Sequence, residues 1–306
     1  MMQQTIQFRA MGCQMSATLF SDTAGALEKL KELPDWFEEW EQVLSRFRAD
    51  SELSLFNQHN GNRRARTPVF SAVLETALWA EQESDGVVTP RVLDALEEFG
   101  YKESFEMITQ DQMISQGIFH NSMNLFFEES VDDEGQNNIR YDFGGVAKGW
   151  AAQQAVQRLA GFGPALVNAG GDIAISAKMP DGLGWIINVT DPFSPENSLA
   201  TLRVDRGGVA TSGVDFRVWN QGEVQRHHII NPQIGLPAES DLISVTIVAP
   251  SVIEAEMAAK LVLIKGSERG LRWLKTRPEY AAFLVFKNGE VKITETMRAY
   301  SGRSEW

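Results

Sequence analysis

Tyr141-Asp142-Phe143-Gly144-Gly145-Val146-Ala147-Lys148-Gly149-Trp150 is the stretch on which the fold reading turns. Up to Phe143 the residues read as a β-run, Ile139–Phe143, and from Val146 apolar residues recur at helical spacing as far as Leu159. Two glycines at the junction let backbone N–H groups face a ligand at a helix N-terminus, an arrangement that suits an anion. Lys148 adds a cation one turn in, and Asp142 is placed to cap the helix or to bind a hydroxyl or a metal. A tight structural corner accounts for the same residues. Neither G-x-x-x-x-G-K-[ST] nor G-x-G-x-x-G is present in this segment.

Outward from this corner the two flanks differ in period. Toward the N-terminus, Leu27, Leu30, Trp36, Trp40, Val43, Leu44 and Phe47 follow mostly helical spacing from Ala24 to Phe47, interrupted at Pro34. That aromatic stripe reads as core and not as a cofactor box. Phe70–Gln82 and Pro90–Glu98, the latter with proline in its first turn, read as further helices. The first 20 residues alternate enough to predict a hairpin about Ala10-Met11-Gly12. Toward the C-terminus come short β-rich runs at Ala165–Asn168, Ile173–Ser176, Trp185–Val189, Leu199–Val204 and Ile243–Val248, and a helix over Val252–Ile264. Phe283–Phe286 and Val291–Thr294 flank Asn288-Gly289, the strongest short hairpin signal. Between Tyr101 and Asn138 the pattern weakens into loops with one short strand near Asn124–Phe127. Early helices and late hairpins, without strict βαβ alternation, predict an α+β fold with mixed, largely antiparallel sheets flanked by helices. The chain reads as a single domain over 1–306, or as two packed lobes near 1–138 and 139–306.

Composition narrows the function. A chain of 306 residues, 43% hydrophobic, has enough apolar surface for a sizeable core. With 28 Lys+Arg against 41 Asp+Glu the net charge is −13, which disfavours a nucleic-acid surface and obliges any polyanionic ligand to find a local positive site. One cysteine and four histidines exclude a disulfide scaffold and a thiolate zinc site. Ala10-Met11-Gly12-Cys13 has the outline of a lipoprotein cleavage site, but the preceding residues lack the apolar segment that export requires. No run approaches the ~20 apolar residues of a membrane span. As written the chain reads as cytoplasmic, and as envelope-associated where an export signal has been removed.

Two further corners carry polar residues. Asn168-Ala169-Gly170-Gly171-Asp172 lies between two short strands and reads equally as a tight turn or as a ligand contact. Ala210-Thr211-Ser212-Gly213 is followed by His228-Ile229-Ile230-Asn231-Pro232. Ser212 and His228 form a possible nucleophile and base, without a third residue to orient them.

In this order the motifs resemble the ApbE family, the FAD:protein FMN transferases. The resemblance runs from Met11-Gly12 through Ser45-Arg46-Phe47, Ser51-Glu52-Leu53-Ser54-Leu55-Phe56-Asn57 and Asp85-Gly86. It continues through Asp142–Gly149, Asn168–Asp172, Thr211-Ser212-Gly213 and His228–Pro232. It implies an ApbE-like fold that binds FAD and, with Mg²⁺, transfers FMN to a Thr or Ser hydroxyl of an acceptor flavoprotein, releasing AMP. It also implies site roles. Gly144, Gly145 and Lys148 approach the pyrophosphate; Ser54 and Asn57 order the substrate loop; Asn168 and Asp172 position the nucleotide. Met11, Asp85, Gly170, Gly171 and Thr211 join the flavin nucleotide site, and Asp142 and His228 shape the acceptor and metal region.

The metal motif departs from the family's pattern. In the family, Asp and Thr of a D-x-x-x-T stretch on a late helix hold the metal together with the carbonyl of the alanine in A-K-G, here Ala147. This chain has Glu256 and Lys260 at the first two positions. Glu remains an oxygen ligand, whereas a lysine ammonium has three donors, no acceptor, and a charge that repels a cation. The two residues are also spaced i, i+4, as in a plain helix-surface ion pair. Ile234 and Thr89 replace a Thr and an Asp of the family's pattern. The leading expectation is therefore an FMN transferase with Ala147 and Glu256 as the remaining metal ligands. The alternatives are a non-catalytic FAD binder in which Lys260 replaces the metal, and an FAD hydrolase giving FMN and AMP.

Overall fold

The computed structural model describes residues 1–59, 66–105, 139–221 and 224–301. The strand expected near Asn124–Phe127 lies outside them. In chain order the elements are β1 (Met2–Ala10), β2 (Cys13–Ser21), α1 (Ala26–Lys31), α2 (Leu33–Leu44), α3 (Glu52–Gln58), α4 (Pro68–Glu83), α5 (Leu93–Glu98) and α6 (Ala147–Ala160). There follow β3 (Ala165–Ala169), β4 (Asp172–Ile175), β5 (Trp185–Asp191), β6 (Ser194–Val204), β7 (Gly207–Gly213), β8 (Val218–Gln221) and β9 (Val224–His227). The last are β10 (Ile230–Asn231), β11 (Leu236–Pro237), β12 (Leu242–Ala249), α7 (Val252–Leu274), β13 (Ala281–Phe286) and β14 (Val291–Ile293).

Two compact units are built from separated stretches, not from the halves 1–138 and 139–306. One gathers Met1–Glu38, Lys148–Gly213 and Ser240–Trp306. Its frame is an eight-stranded sheet, β1-β2-β3-β4-β7-β12-β13-β14, antiparallel at every step. The β1–β2 hairpin turns through Met11 and Gly12, both at positive φ (49° and 66°), the two-residue geometry whose twist matches paired strands. β2 buries Met15, Ala17 and Leu19 on alternate positions, as a strand with one covered face should. The central strand β12 is buried along nearly its whole length, with α7 packed along β7 and β12. Trp185, Ile187, Val189 and Leu202 of the β5–β6 hairpin join Ile173, Val209, Val248 and Phe283 in one apolar cluster.

The second unit, Glu39–Ala147 with Val214–Glu239, holds α3, α4, α5 and the small β8–β9 and β10–β11 pairs. Its core includes Leu96, Phe99, Tyr101, Trp219 and Ile230. Trp219 stacks on Tyr101 at 5.4 Å and donates its Nε1–H to the Phe99 carbonyl at 2.8 Å, so its one polar atom is satisfied in the interior.

Three sequence expectations change. The single helix from Ala24 to Phe47 is two, broken at Glu32, with Pro34 in the first turn of α2 where its missing N–H costs no helical bond. Pro90–Glu98 yields only α5, because the Pro90 carbonyl accepts the Asp142 N–H at 2.8 Å. Ile139–Phe143 is not a strand. Its Tyr141 N–H and C=O are both bonded to the Asn57 side-chain amide, so the extended backbone pairs with a side chain and not with a ladder.

Candidate functional site

In the second unit, the Gly144 corner is locked by charge. Asp142 Oδ2 accepts from Arg46 Nε at 2.7 Å, and Oδ1 accepts the Gly144 N–H at 2.8 Å. The Arg46 side chain is buried, its guanidinium 4.1 Å from the Phe47 ring centroid and 4.6 Å from that of Tyr101, so that it makes cation–π contacts with both rings. Its Nη2 has no hydrogen-bond partner among the described residues. Gly144's N–H is thus engaged by Asp142 and not held open for a phosphate, and the Val146 and Ala147 N–H groups both bond to the Phe143 carbonyl. Ala147 is buried at the first position of α6. Sequence reasoning quoted Arg46 within Ser45-Arg46-Phe47 without a role; its charge beside an aromatic residue was the available signal.

The SELSLFN segment is helix α3, capped by Ser51, whose Oγ accepts the Ser54 N–H at 3.0 Å. Ser54 donates back to the Arg46 carbonyl at 3.2 Å, and Asn57 brackets Tyr141 as above. Ser54 and Asn57 therefore hold the backbone on either side of the Arg46–Asp142 pair. Asp85 and Gly86, at φ 53° and 76°, end α4: the Gly86 N–H reaches back to the Glu81 carbonyl at 2.8 Å. Asp85 is exposed. His228 is half-buried between β9 and β10. The neighbouring His227 takes Nε2 to the Ala238 carbonyl at 3.1 Å and fixes that loop.

The sheet unit carries a cluster of four charges in which Asp172 and Glu256 are buried and Lys148 and Lys260 half-buried. Lys148, one residue into α6, is ion-paired to Asp172, the first residue of β4. Glu256 on α7 is 1% exposed and uses both carboxylate oxygens. Oε1 accepts from Lys260 Nζ at 2.9 Å, and Oε2 accepts the Gly149 N–H at 3.1 Å. The second bond caps one of the N-terminal donors of α6 with a carboxylate, favourable for the helix dipole as well as for the donor. A Cβ at Gly149 would lie 2.4 Å from Oε2, so any other residue there would push the carboxylate out of this position. Burial works against the Lys148 ammonium, yet Asp172 and then Glu256 outweigh it and hold Lys148 above the ordinary lysine value. Burial, followed by the Asp172 charge, pushes the Glu256 carboxyl up, with Lys260 and Lys148 opposing.

The remaining expected residues of this unit lie in turns and strands. Asn168 Oδ1 accepts the Gly171 N–H at 2.8 Å across the β3–β4 turn, whose Gly170 and Gly171 have φ 63° and 101°. A Cβ on Gly170 would meet Cys13 Cβ and Sγ at 2.8 Å, so this glycine also makes room for the β1–β2 turn that carries Met11. Thr211 shares a 2.8 Å hydroxyl contact with Thr246, its register partner on β12.

A divalent ion does not fit the residues at position 256 as they stand. Both oxygens of Glu256 are engaged, one by an ammonium, and Asp172 is neutralised by Lys148. Among the described residues no group of three or more His, Cys, Asp or Glu side chains is placed to hold a metal. No helix of the described residues is long and apolar enough to cross a membrane.

Known proteins bear on this arrangement. The ApbE family model matches residues 11–284. The FAD:protein FMN transferase of Treponema pallidum (strain Nichols) is 29% identical over 299 residues, covering 87% of this chain and 79% of that protein. That of Escherichia coli (strain K12) is 24% identical over 263 residues, covering 82% and 74%. Among solved structures, the ApbE protein from Thermotoga maritima superposes with a TM-score of 0.84 at 21% identity, covering 99% of this chain and 100% of that one. The flavin transferase ApbE from Vibrio cholerae gives 0.79 at 22%, covering 98% and 99%. These superpositions establish the α+β fold, and the family match over most of the sequence, carrying the glycine corners and the buried Lys148–Asp172 pair, establishes that the chain belongs to the ApbE family.

Proposed function

We propose that the chain, working as one domain over residues 1–306, is an FAD:protein FMN transferase whose acceptor is the hydroxyl of a Thr or Ser on a flavoprotein. The observation that carries this reading is the family match over residues 11–284, together with relatives bearing that name across most of the chain. In the reaction the hydroxyl oxygen forms a bond to the FMN phosphorus, and the pyrophosphate P–O bond to AMP breaks. AMP departs with its phosphate, and the hydroxyl proton passes to water. Such transfers depend on positioning and charge neutralisation more than on covalent chemistry.

The residue roles follow the motifs. Lys148 offers its ammonium donors toward the pyrophosphate, held in place by its ion pair with Asp172, on a protein whose net charge is −13. Asp142, held by Arg46, keeps the Gly144-Gly145 corner in shape and does not abstract a proton, since both its oxygens carry donors. In the sheet unit Met11, Asn168, Gly170, Gly171, Asp172 and Thr211 are assigned to the nucleotide, and in the second unit Asp85 and His228 keep the nucleotide and acceptor roles that the family motifs imply. The side chains at Glu256, whose oxygens are held by the Lys260 ammonium and the Gly149 N–H, do not fit Mg²⁺.

The test is chromatography of FAD, FMN and AMP after incubating the protein with FAD, with and without an acceptor domain containing a target Thr. AMP release that requires the acceptor, with a flavinylated acceptor as the second product, is the expected result. FMN and AMP formed without acceptor would identify a hydrolase, and intact FAD co-eluting with the protein would identify a binder.

A further inference from the structure

The four clustered charges of the sheet unit leave no net negative charge to receive a divalent metal. Lys148 and Lys260 balance Asp172 and Glu256, so the cluster is neutral before any ion arrives. An i, i+4 Glu–Lys pair on a solvated helix face would carry no such meaning, because water screens it. Here Glu256 is 1% exposed and Lys260 16%, and the second oxygen of Glu256 is tied to the backbone of α6. The pair is part of the interior. A divalent cation seated on Glu256 with Lys260 in place would leave two uncompensated positive charges where burial penalises charge. It would also have to displace the ammonium from Oε1 at 2.9 Å.

We infer that in this chain the Lys260 ammonium, and not a divalent cation, occupies the Glu256 carboxylate, so that flavin transfer proceeds without added divalent metal. The second clause rests on the transferase reading; the first stands on geometry alone. Lys260 is a positioning residue in this account. It neutralises Glu256, which caps α6, and α6 carries Lys148.

The experiment uses the full chain and Mn²⁺ as the probe, followed by the free-ion paramagnetic resonance signal. The wild type is expected to leave the Mn²⁺ signal unchanged at a stoichiometric site. Lys260→Met removes the ammonium while keeping an unbranched helix former, leaves the cluster one charge negative, and is expected to bind one equivalent of Mn²⁺ at least tenfold more tightly. Should that variant be too unstable to titrate, Glu256→Gln combined with Lys260→Met removes both charges and is expected to fold and to bind no Mn²⁺. In parallel, wild-type transfer in EDTA is expected within twofold of transfer in Mg²⁺. One equivalent of Mn²⁺ bound by the wild type and lost in Glu256→Gln would overturn the inference, as would transfer abolished by EDTA and restored by Mg²⁺. FAD left intact under every condition would defeat the transferase reading, and the Mn²⁺ titration would then decide the ammonium's place by itself.

Discussion

Asn57 makes two hydrogen bonds to one backbone residue, accepting the Tyr141 N–H and donating to the Tyr141 carbonyl, both at 2.8 Å and both buried. Asn57→Ala strands two buried polar groups at once, and the expected loss is about 2–4 kcal/mol in urea unfolding. A loss below about 0.5 kcal/mol would refute this account of the residue. Arg46 and Asp142 give a second forecast at this scale. Arg46→Met leaves Asp142 partly buried without its ion partner and is expected to cost about 3 kcal/mol, whereas the double replacement with Asp142→Asn recovers part of it. Equal losses in the single and double variants would show that the pair is not coupled. The glycines, Asp142, Lys148 and Glu256 were legible in the sequence because motif spacing marks them. The Arg46–Asp142 bond was not, since its two ends lie far apart in the chain and nothing local ties them.

At the scale of elements, α7 shows how a helix tolerates a break. Gly266 (φ 75°, ψ 171°) interrupts it, and Asp241 restarts it by accepting from the Ser267 N–H at 2.9 Å and from the Ser267 hydroxyl. Burial raises the Asp241 carboxyl, but the Ser267 bonds outweigh it and leave the group below the ordinary carboxylate value. A lowered folded value means that the stabilisation is present above the unfolded pKa and is lost as the pH falls through the folded one. Hydrogen-exchange protection of residues 267–274 is therefore expected to drop in acid below the ordinary carboxylate range, and Asp241→Asn to show low protection already at neutral pH. Protection that does not change with either would remove Asp241 as the cap. The period of α4, α6 and the first part of α7 was readable from apolar spacing, and the β13–β14 hairpin from Asn288-Gly289. Strand β7, Gly207–Gly213, was not, because only Val209 and Thr211 among its residues are strand formers and its glycines answer to close packing instead of propensity.

For the whole molecule, the net charge of −13 opposes the approach of an anionic dinucleotide even to a site that, on the proposed function, includes Lys148. The association rate of FAD is expected to rise by about twofold or more between 10 and 150 mM salt, because screening weakens long-range repulsion first. Stopped-flow flavin fluorescence measures it, and a rate that falls with salt would show that local attraction dominates. The sequence reading allowed for two lobes but not for which stretches make them up, since each unit recruits stretches separated by parts of the other. The order of the sheet has a consequence for biosynthesis. β7 lies between β4 and β12, so a growing chain that has finished β7 has one of its edges unpaired until Leu242–Ala249 is made. From Gly213 to Ala249 at roughly 5–20 residues per second takes about 2–7 seconds, and for that interval the nascent protein offers a bare strand edge to neighbouring chains or to chaperones.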